Sequence, residues 1–582
     1  MWRGIAFAFA GMAGMAGWSS AQTVEVVGNA SATANARVPV INDAGNVFYV
    51  NGGTEVIGNP ATPILKSFLP VTSFLAPGGG GAVPYVLSSN GNVTYLTPTT
   101  LTQSNGSQNA AIAVGNAQAS GLSSTYKYAY DSFSKVSGVF DYGVSEDGNI
   151  SFRAEVSSNN FFNSFLAVYV GPPSSFNLLM DSFHAVPGLP SEYVLDNQGY
   201  FHALRNKNGL SLLIGHAHST LFNPEVYGLW LHDAVNGLRL AVIGSPLIGT
   251  TTPGDPTGIF TYIDFGLTLW PGMDDEGRFA FTASGSAFPR NIYGVYAGLE
   301  NNLRPVATNG MAVPGIPGTY FTNFGNFGPV HMGTGGKLVV AATIAGTGVY
   351  STNSQVLIFG SSPGDLKVIA RSGTVPPGMP AGVVWTPSII DISGQTENPV
   401  SYPLNDQLVM FGNNRVAFVG QVVGPGITSS PSTTANDSGI WVSDDNGGTL
   451  SLLTRRGSVL ATTSGNRTPT NYFGLQGGCA GRDGKPSGSN RVGQLTFVNG
   501  VTTYRVTYPP PLTAALNKPV LVAGQMQVAF ATVSGKTYHL QVNTNLATTN
   551  WTDVQVYTGD DTTKTNLVTP SGARGFYRLF VP

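Results

Sequence analysis

The chain has 582 residues, with 28 Lys and Arg against 30 Asp and Glu, so its formal net charge is -2 and only 10% of its residues are charged. An average globular domain has about 25% charged residues, and this composition excludes the basic surface of a nucleic-acid-binding protein. There are 75 Gly and 38 Pro, yet 42% of residues are hydrophobic, which is too many for a disordered chain. The length exceeds one compact core, and this Gly-rich composition favours short strands over helices.

Residues 1–21 have the pattern of a secretory signal peptide. Arg3 supplies a positive charge, residues 5–17 form an apolar run, and Ser19 and Ala21 place small residues before the cleavage point. The apolar run is shorter than the about 18 residues of a membrane-spanning helix, and no later run reaches that length. We therefore expect a secreted, periplasmic or cell-surface protein with no transmembrane segment in the mature chain.

Cys479 is the single cysteine of the chain, so no disulfide can form within it. In an exported protein of this size, extensive β packing must then hold the fold together. The neighbouring residues are Gly and Ala, and no histidine stands close in the sequence to activate the thiol. We expect Cys479 to be inert.

A short pattern recurs along the chain. It begins with a polar turn that ends in Gly or Asn, continues with one variable residue, and ends with alternating apolar residues. Gly and Asn accept the positive φ of a tight hairpin turn, and the alternation buries one face of the strand that follows. Seven copies lie about 61 residues apart on average, at residues 43–49, 89–95, 147–152, 197–201, 275–281, 335–340 and 413–418.

A second pattern follows the first and consists of a short apolar strand, a polar turn, another apolar strand and a Pro-Gly stop. Residues 294–297, 303–307 and 313–315 show it, and residues 356–378 repeat it. Two hairpins per repeat make a four-stranded sheet of about 60 residues, which is typical of one blade of a β-propeller. A β-sandwich array or a β-helix has similar turn spacing and stays open as an alternative.

The sequence therefore predicts an all-β protein whose residues 22–508 form a β-propeller. Seven blades are favoured, and six or eight are also compatible with the spacing. An eighth copy of the turn pattern, at residues 493–497, either forms a separate blade or pairs with the strands near Val24 to Val27 and so closes the ring.

Three features carry a resemblance to a known group of proteins: the first pattern, the strand Gly439-Ile440-Trp441, and the segment Ala-Arg-Ser-Gly-Thr-Val-Pro-Pro-Gly at residues 370–378. Together they resemble the propeller-like repeats of large, uncharacterised secreted proteins from bacteria of the Planctomycetes and Verrucomicrobia kind. The resemblance covers most of residues 24–505. It implies a propeller fold and transfers no catalytic residue, because its motifs are degenerate.

Tyr508 and the three prolines after it begin a stiff linker, residues 509–519. Residues 520–582 then predict a small, independent β-sandwich-like module, which is similar to modules at the ends of exported proteins from the same kinds of bacteria. Such a module can serve sorting or surface attachment. Tyr, Leu and Val alternate along its strands, and we expect Trp551 to fill its core rather than to serve as a platform for sugars.

Histidines and acidic pairs are the first candidates for chemistry. If His216 and His218 belong to a strand, they share one face, and together with His232 they could hold a metal, but spacing fixes no third ligand. Surface histidines are the favoured interpretation. Three acidic pairs are expected to form turns, because Asp suits the backbone geometry there: Asp274-Asp275, Asp444-Asp445 and Asp560-Asp561.

Three short motifs come close to known binding or catalytic loops. Gly484-Lys485 and Gly535-Lys536-Thr537 lack the earlier glycine of a phosphate-binding loop. Residues 360–364, Gly-Ser-Ser-Pro-Gly, match a nucleophile elbow, but the helix that must follow is replaced by an apolar pattern that predicts a strand. We therefore assign no catalytic, cofactor-binding or metal-binding residue and expect no cofactor.

These observations favour a non-enzymatic, exported β-propeller that binds an extracellular polysaccharide or protein, or serves as a surface scaffold. A polysaccharide lyase or glycosidase is the alternative, since a propeller can bring carboxylates from different blades around its central channel. Two carboxylates, or a Tyr, His or Arg group, converging in one cleft would favour that alternative. A third hypothesis is a structural coat or adhesion protein that is anchored by residues 520–582.

Overall fold

The structure is a computed structural model. The predicted signal peptide and the predicted linker lie outside the part of the chain that it describes. The described residues are 22–29, 39–51, 54–67, 85–88, 91–96, 100–104, 109–113, 119–123, 125–128, 142–158, 164–172, 174–196, 202–221, 225–244, 259–264, 271–287, 290–324, 330–390, 407–429, 434–471, 473–475, 477, 487–508, 520–522, 525–532, 537–543, 550–558, 562–568 and 576–580.

The chain divides into two compact units, residues 1–509 and residues 510–582, and each is described by itself. The described residues contain 45 β-strands, and their one helical segment is a single 3-10 turn at Thr334–Gly336. No helix in the described ranges has the length and apolar character needed to cross a membrane. The predicted all-β fold class is confirmed.

Strand β1 (Thr23–Asn29) begins the first unit, and antiparallel sheets follow it in chain order. Sheet 1 contains β2 (Val40–Ile41), β3 (Val47–Asn51), β4 (Thr54–Gly58) and β5 (Lys66–Ser67). Sheet 2 contains β6 (Tyr85–Leu87), β7 (Val93–Leu96), β8 (Thr100–Ser104) and β9 (Asn109–Ala113). Sheet 3 contains β10 (Tyr126–Tyr128), β11 (Tyr142–Val144), β12 (Ile150–Ser158), β13 (Ser164–Gly171) and β14 (Asn177–Asp181).

Sheets 4 to 7 repeat the arrangement of sheet 3. Sheet 4 contains β15 (Tyr193–Leu195), β16 (His202–Arg205), β17 (Ser211–Ser219), β18 (Glu225–Asp233) and β19 (Gly237–Gly244). Sheet 5 contains β20 (Ile259–Asp264), β21 (Gly272–Met273), β22 (Phe279–Ala287), β23 (Arg290–Leu299) and β24 (Asn302–Thr308). Sheet 6 contains β25 (Thr319–Phe324), β26 (His331–Met332), β27 (Leu338–Gly346), β28 (Gln355–Gly360) and β29 (Lys367–Arg371). Sheet 7 contains β30 (Val384–Ile390), β31 (Leu408–Phe411), β32 (Arg415–Val423), β33 (Ser438–Ser443) and β34 (Leu450–Arg455).

The first strand of sheets 3 to 7 is interrupted. In sheet 4, for example, β15 pairs with the end of β17 and β16 pairs with its beginning, so the two short strands together make one edge. The other strands of each sheet pair with their neighbours in chain order. Each sheet is therefore a simple up-and-down meander, as a propeller blade requires.

The last sheet of the first unit joins the two ends of that unit. After a short hairpin of β35 (Leu460–Thr462) and β36 (Gly465–Arg467), sheet 8 contains β37 (Phe473–Leu475), β38 (Gln494–Asn499) and β39 (Thr502–Thr507). Its fourth strand is β1, which lies antiparallel to β39. Arg505 donates to Glu25 at 2.7 Å across this pair. Closure of this kind leaves no blade with a missing strand.

Successive sheets pack against one another around a ring. Buried apolar clusters are shared by sheets 2 and 3, 3 and 4, 4 and 5, 5 and 6, 6 and 7, and 7 and 8. Val27 of sheet 8 packs with Ile41, Val47, Tyr49 and Val56 of sheet 1, which returns the packing to its start. The first unit is a β-propeller, and its core lies between the sheets.

The described residues of the first unit form eight four- or five-stranded sheets, which corrects the favoured count of seven. The reason is that residues 493–497 meet both expectations for the eighth copy of the pattern. They lie in a sheet of their own, and that sheet takes β1 as its outer strand. The closed ring and the meandering sheets are not those of a β-sandwich array or a β-helix.

Two tryptophans of the second repeat pattern form hydrogen bonds with the connections that precede their sheets. Trp230 donates its indole N–H to the carbonyl oxygen of Pro187 at 2.9 Å, and Trp441 donates to that of Pro377 at 3.0 Å. Both prolines belong to the Pro-Gly stops that precede a blade. The stop therefore ends one repeat and supplies an acceptor to the buried aromatic residue of the next.

The second unit contains two three-stranded sheets. Sheet 9 has the order β40 (Val520–Val522), β41 (Gln525–Ala531), β44 (Thr563–Val568), and sheet 10 has the order β43 (Thr552–Thr558), β42 (Thr537–Asn543), β45 (Phe576–Phe580). Both sheets contribute to two small buried clusters, which contain Val528, Leu540 and Val568, and Phe530, Tyr538 and Leu579. Trp551 belongs to neither cluster and is only partly buried, so the expectation that it fills the core is wrong.

One buried ion pair joins sheet 7 to the segment that leads into sheet 8. Arg456 lies 3.4 Å from Asp437, and the two side chains are 5% and 2% exposed. Arg456 also donates to the carbonyl oxygen of Thr470 at 3.2 Å. Loss of one partner would leave the other charge buried without compensation.

We predict that Asp437→Ala lowers the free energy of unfolding by about 3–5 kcal/mol, because the guanidinium of Arg456 stays buried. The matched control is Glu300→Ala, which removes a partly exposed partner of Arg239 and should cost less than about 1 kcal/mol. Urea unfolding followed by tryptophan fluorescence measures both. Equal losses in the two variants would show that Asp437 has no special structural role.

Candidate axial site

The functional candidates lie on a hairpin turn that recurs in every sheet of the propeller. In sheet 4, Asn206 and Leu210 begin and end the turn, and the N–H of Asn206 donates to the carbonyl oxygen of Leu210 at 2.9 Å. The side-chain oxygen of Asn206 accepts from the N–H of Leu210 at 2.9 Å. Gly209 has a φ of 88°, where residues with a side chain are strained. A polar first residue and a glycine at the fourth position therefore define the turn.

The same turn joins the first strand of each sheet to the strand beside it. Its first residue is polar in six of the eight sheets, and glycine or phenylalanine takes the place in the other two: Asn42, Ser88, Ser145, Asn206, Asp274, Gly333, Phe411 and Asn490. Because first strands of neighbouring sheets contact one another, they line the axis of the propeller. The turns therefore gather at one axial end.

Hydrogen bonds connect neighbouring turns into a belt. Asparagines suit this role because the amide has both an acceptor and two donors. Asn490 uses its oxygen within its own turn, at 2.8 Å, and its amide N–H donates to the carbonyl oxygen of Asn42 at 2.9 Å. The further links run from Asn42 to Ser88, from Arg205 to Ser145, from Asn206 to Asp274 and from Asn414 to Thr334.

The second position of the turn is unusually rich in charge. Seven of these positions are described, and five of them are charged in a chain with only 10% charged residues. The other two described members are Thr334 and Gly412. We call the charged five the axial cluster: Asp43, Glu146, Lys207, Asp275 and Arg491.

Arg491 joins the axial cluster across the ring. It comes from sheet 8 and pairs with Asp43 of sheet 1, whose carboxylate also accepts from the backbone N–H of Arg491 at 3.0 Å. Its guanidinium lies 2.6 Å from Glu146 of sheet 3 and 3.6 Å from Asp275 of sheet 5. Lys207 of sheet 4 lies 3.2 Å from Asp275. Five sheets thus contribute to one network of three carboxylates and two cations.

The space behind the axial cluster is small. The cavity there has a volume of about 40 Å³, and apolar residues such as Ile41, Leu87 and Val144 line it together with Glu146 and Arg491. That volume admits only a few water molecules and is far below the about 300 Å³ of a typical ligand pocket. This cavity is therefore too small to enclose a typical small-molecule ligand.

Close packing of the first strands explains why the axis is narrow here. A Cβ atom on Gly143 would lie 2.3 Å from the backbone nitrogen of Arg205 in the next sheet. A Cβ on Gly272 would lie 2.6 Å from the carbonyl oxygen of Val330. Glycine at these positions lets neighbouring backbones approach, so the side chains at the turns close the end of the channel.

The members of the axial cluster are partly exposed. The side chain of Glu146 is 41% exposed, and those of Arg491 and Asp43 are 21% and 22% exposed. The cluster presents carboxylates that accept hydrogen bonds and cations that donate them, with a net charge of -1 if all five are ionised. This arrangement can hold a polar ligand with both donors and acceptors.

The chain matches one known protein family. A family model described as a family of unknown function, DUF7453, matches residues 20–504. The chain belongs to the DUF7453 family. None of the curated proteins matches it. The DUF7453 match includes every described member of the axial cluster.

Three solved structures are similar to the DUF7453 chain at low identity. A prolyl endopeptidase has 9% identity and a TM-score of 0.36 over 78% of this chain and 52% of its own, so this chain spans about half its length. An α-L-arabinanase from Penicillium chrysogenum has 13% identity and a TM-score of 0.25 over 63% and 93%. The polysaccharide lyase Uly1 has 11% identity and a TM-score of 0.27 over 78% and 94%. Likeness at this level gives no information on activity.

The histidines that the sequence singled out do not gather. His216 and His218 lie on β17, but His232 lies on β18 opposite Ser211. That places it five residues along the strand from His216, or about 16 Å. His216 packs its ring against Tyr227 with centroids 4.4 Å apart. Among the described residues of the DUF7453 chain, no group of three His, Cys, Asp or Glu side chains could hold a metal ion.

The acidic pairs and the elbow motif are turns where the structure describes them. Asp274 accepts from the backbone N–H groups of Glu276 and Arg278, and Asp445 lies in the turn between β33 and β34. Residues 360–364 join β28 to β29, so a strand follows Ser362 as expected. Cys479, Asp560-Asp561, Gly484-Lys485 and Gly535-Lys536 lie outside the described residues.

Reasoning from single motifs missed the axial cluster. The pair Asp274-Asp275 indicates only a turn. Lys207 belongs to the turn Asn206–Leu210, whereas the fourth copy of the sequence pattern lies at residues 197–201, outside the described residues. An alignment of the turn sequences does indicate these residues. Asp43, Glu146 and Arg491 each stand two residues before a turn glycine, and the sequence shows this spacing without any structure.

Asp274 and Glu276 lie on either side of Asp275 of the axial cluster, and the pKa values of their carboxyl groups are shifted. Burial raises the pKa of Asp274 to about 6, although Arg278 donates to it at 2.9 Å. Desolvation raises the pKa of Glu276, but hydrogen bonds that include one from the Asp274 carboxyl and one from Arg278 outweigh it, so the pKa is lowered overall. The two carboxyl groups share a site, and the buried one keeps its proton to the higher pH.

We predict that the stability of the DUF7453 chain falls between pH 4 and pH 6 because of Asp274. Its carboxyl has an ordinary pKa of 3.8 and a folded-state pKa of about 6, so the folded state binds more protons in this window and loses stability as the pH rises. In Asp274→Asn this contribution is absent, and other turns already have Asn at this position. Urea unfolding of both proteins at pH 4, 5, 6 and 7 measures the difference, and a constant difference would contradict the prediction.

Proposed function

We propose that this protein is an exported, non-enzymatic β-propeller that binds a neutral extracellular polysaccharide at the axial end formed by the turns. The observation that supports the proposal is the concentration of charge at the second turn position. In five sheets the second turn position has a charged side chain, although only 10% of the residues of the chain are charged. The signal-peptide pattern of residues 1–21 supports export.

The chemistry of the axial cluster suits a neutral sugar better than a charged ligand. A hydroxyl group both donates and accepts hydrogen bonds, and the cluster offers carboxylates and cations side by side. A polyanion would meet the three carboxylates, and a polycation would meet Lys207 and Arg491. Either charged polymer therefore encounters like charges that oppose its binding.

The competing function is a glycosidase or lyase, and the convergence of three carboxylates with an arginine is the observation in its favour. A glycosidase needs one carboxylic acid that is protonated near neutral pH and a second carboxylate at a fixed distance. Here Arg491 contacts Asp43, Glu146 and Asp275. All three carboxylates are thus engaged by the same guanidinium. This pairing supports binding over catalysis.

Binding to an array of neutral and charged glycans tests the proposal. We expect the wild type to retain one or more neutral glycans, and Arg491→Ala and Glu146→Gln to weaken that binding at least tenfold. Arg239→Ala is the matched control, since Arg239 pairs with Glu300 at 2.7 Å on the outermost strand of sheet 4. Its binding should equal that of the wild type.

Three outcomes would reject the proposal. The first is that axial variants bind as well as the wild type. The second is that no neutral glycan is retained. The third is that a bound polymer is cleaved and that Glu146→Gln abolishes the cleavage, which would establish the enzymatic alternative. Thermal unfolding of each variant shows whether it is folded, and Glu146→Gln, at the more exposed position, serves where Arg491→Ala is unstable.

A further inference from the structure

The second unit carries a surface that the propeller does not explain. Residues along a strand alternate between the two faces of a sheet. In sheet 10, Tyr538, Leu540 and Leu579 are buried and belong to the clusters shared with sheet 9. The residues between them, such as His539 and Arg578, therefore lie on the opposite face. We call this opposite face the sheet-10 face.

Polar side chains on the sheet-10 face form one connected row across all three strands. Asp553 of β43 lies 2.8 Å from the imidazole Nδ1 of His539 and accepts from the amide of Gln541 at 2.8 Å, both on β42. Arg578 of β45 donates to Gln541 at 2.8 Å. These hydrogen bonds hold four planar polar groups in place, and each group uses only part of its capacity in them.

Aromatic side chains flank the polar row. The guanidinium of Arg578 lies 4.3 Å from the ring centre of Trp551 and 5.6 Å from that of Phe580. Phe580 is 42% exposed, and Phe576 on the same strand is 37% exposed. An arginine stacked on an indole is held flat by its interaction with the π system. The sheet-10 face thus combines aromatic rings, of which those of Phe576 and Phe580 are exposed, with fixed hydrogen-bonding groups.

A group of exposed aromatic residues on one face of a sheet calls for an explanation. A single exposed apolar side chain is ordinary, but several on one face mark an interaction site. Strand β43 strengthens the case, because none of its residues is buried and it forms an edge of sheet 10. The exposed edge strand beside the polar row leaves room for a long, extended ligand.

We propose that the sheet-10 face binds an extended polysaccharide chain. Sugar rings have apolar C–H faces that stack on Trp551, Phe576 and Phe580, and their hydroxyl groups pair with the carboxylate, amide, imidazole and guanidinium between these rings. A purely apolar partner would remove water from the remaining hydrogen-bonding capacity of this polar row and replace it with nothing, which is costly. This surface belongs to the second unit, and the inference holds whether or not the axial end of the propeller binds a glycan.

The test uses the full-length chain and four insoluble polysaccharides: cellulose, chitin, xylan and curdlan. We expect the wild type to be depleted from solution by at least one of them. Trp551→Ala and the double variant Phe576→Ser with Phe580→Ser should each reduce that binding at least tenfold. Gln541→Ala should reduce it as well, because it breaks the polar row at its centre.

Two controls separate this surface from other effects. Leu567→Ala removes a side chain that is 48% exposed on sheet 9 of the same unit, and it should bind like the wild type. Arg239→Ala changes a propeller side chain outside the axial cluster, and it should also bind these insoluble polymers like the wild type. Loss of binding in Arg491→Ala alone would assign the polymer to the propeller and not to the sheet-10 face.

Several results would overturn the proposal. They are depletion by none of the four polymers, or equal binding by the wild type and the Phe576 and Phe580 double variant. Self-association that the same variants abolish in sedimentation velocity would instead make the face a contact between two copies of this chain. Thermal unfolding controls for folding, and the two phenylalanines are exposed enough for serine to replace them without loss of the core.

Discussion

Five of the eight axial turns described for the propeller share one local interaction, the hydrogen bond from the turn's last N–H to the side chain of its first residue. In the turns that begin with Asn42, Asn206 and Asn490, the side-chain oxygen accepts this bond at 2.8 to 3.0 Å. The amide of the same residue then donates to the neighbouring turn. One side chain thereby fixes the shape of a turn and its distance from the next, which two separate residues would otherwise have to do.

In two turns whose first residue is not asparagine, an arginine contacts that residue instead. Arg205 of sheet 4 donates to Ser145 of sheet 3 at 2.8 Å, and Arg278 donates to Asp274 within its own turn. These buried or half-buried cations require partners, which accounts for part of the charge near the axis. The second turn position is different, because its charged residues face the solvent side and contact residues from non-adjacent sheets.

The sequence predicted the features that depend on neighbours along the chain and missed those that depend on distant ones. Turn glycines and strand alternation are local, so the all-β propeller was predictable. The blade count was not, because β1 pairs with a strand about 480 residues later. The alternation of apolar residues also predicts that Trp551 lies in a β region, but it does not indicate which face of the sheet is buried. The axial cluster required alignment of the turns, since its members meet only in the closed ring.

Stability alone does not account for the charge of the axial cluster. Replacing a buried ion pair by apolar residues of similar size is often neutral or stabilising, so closing a channel does not require charge. A layer of apolar residues such as Ile41, Leu87 and Val144 already lines the small cavity beside the cluster. Five charged side chains above that layer, in a chain with 10% charged residues, add little that packing does not supply. Their role is better explained by contact with a polar molecule that arrives from solvent.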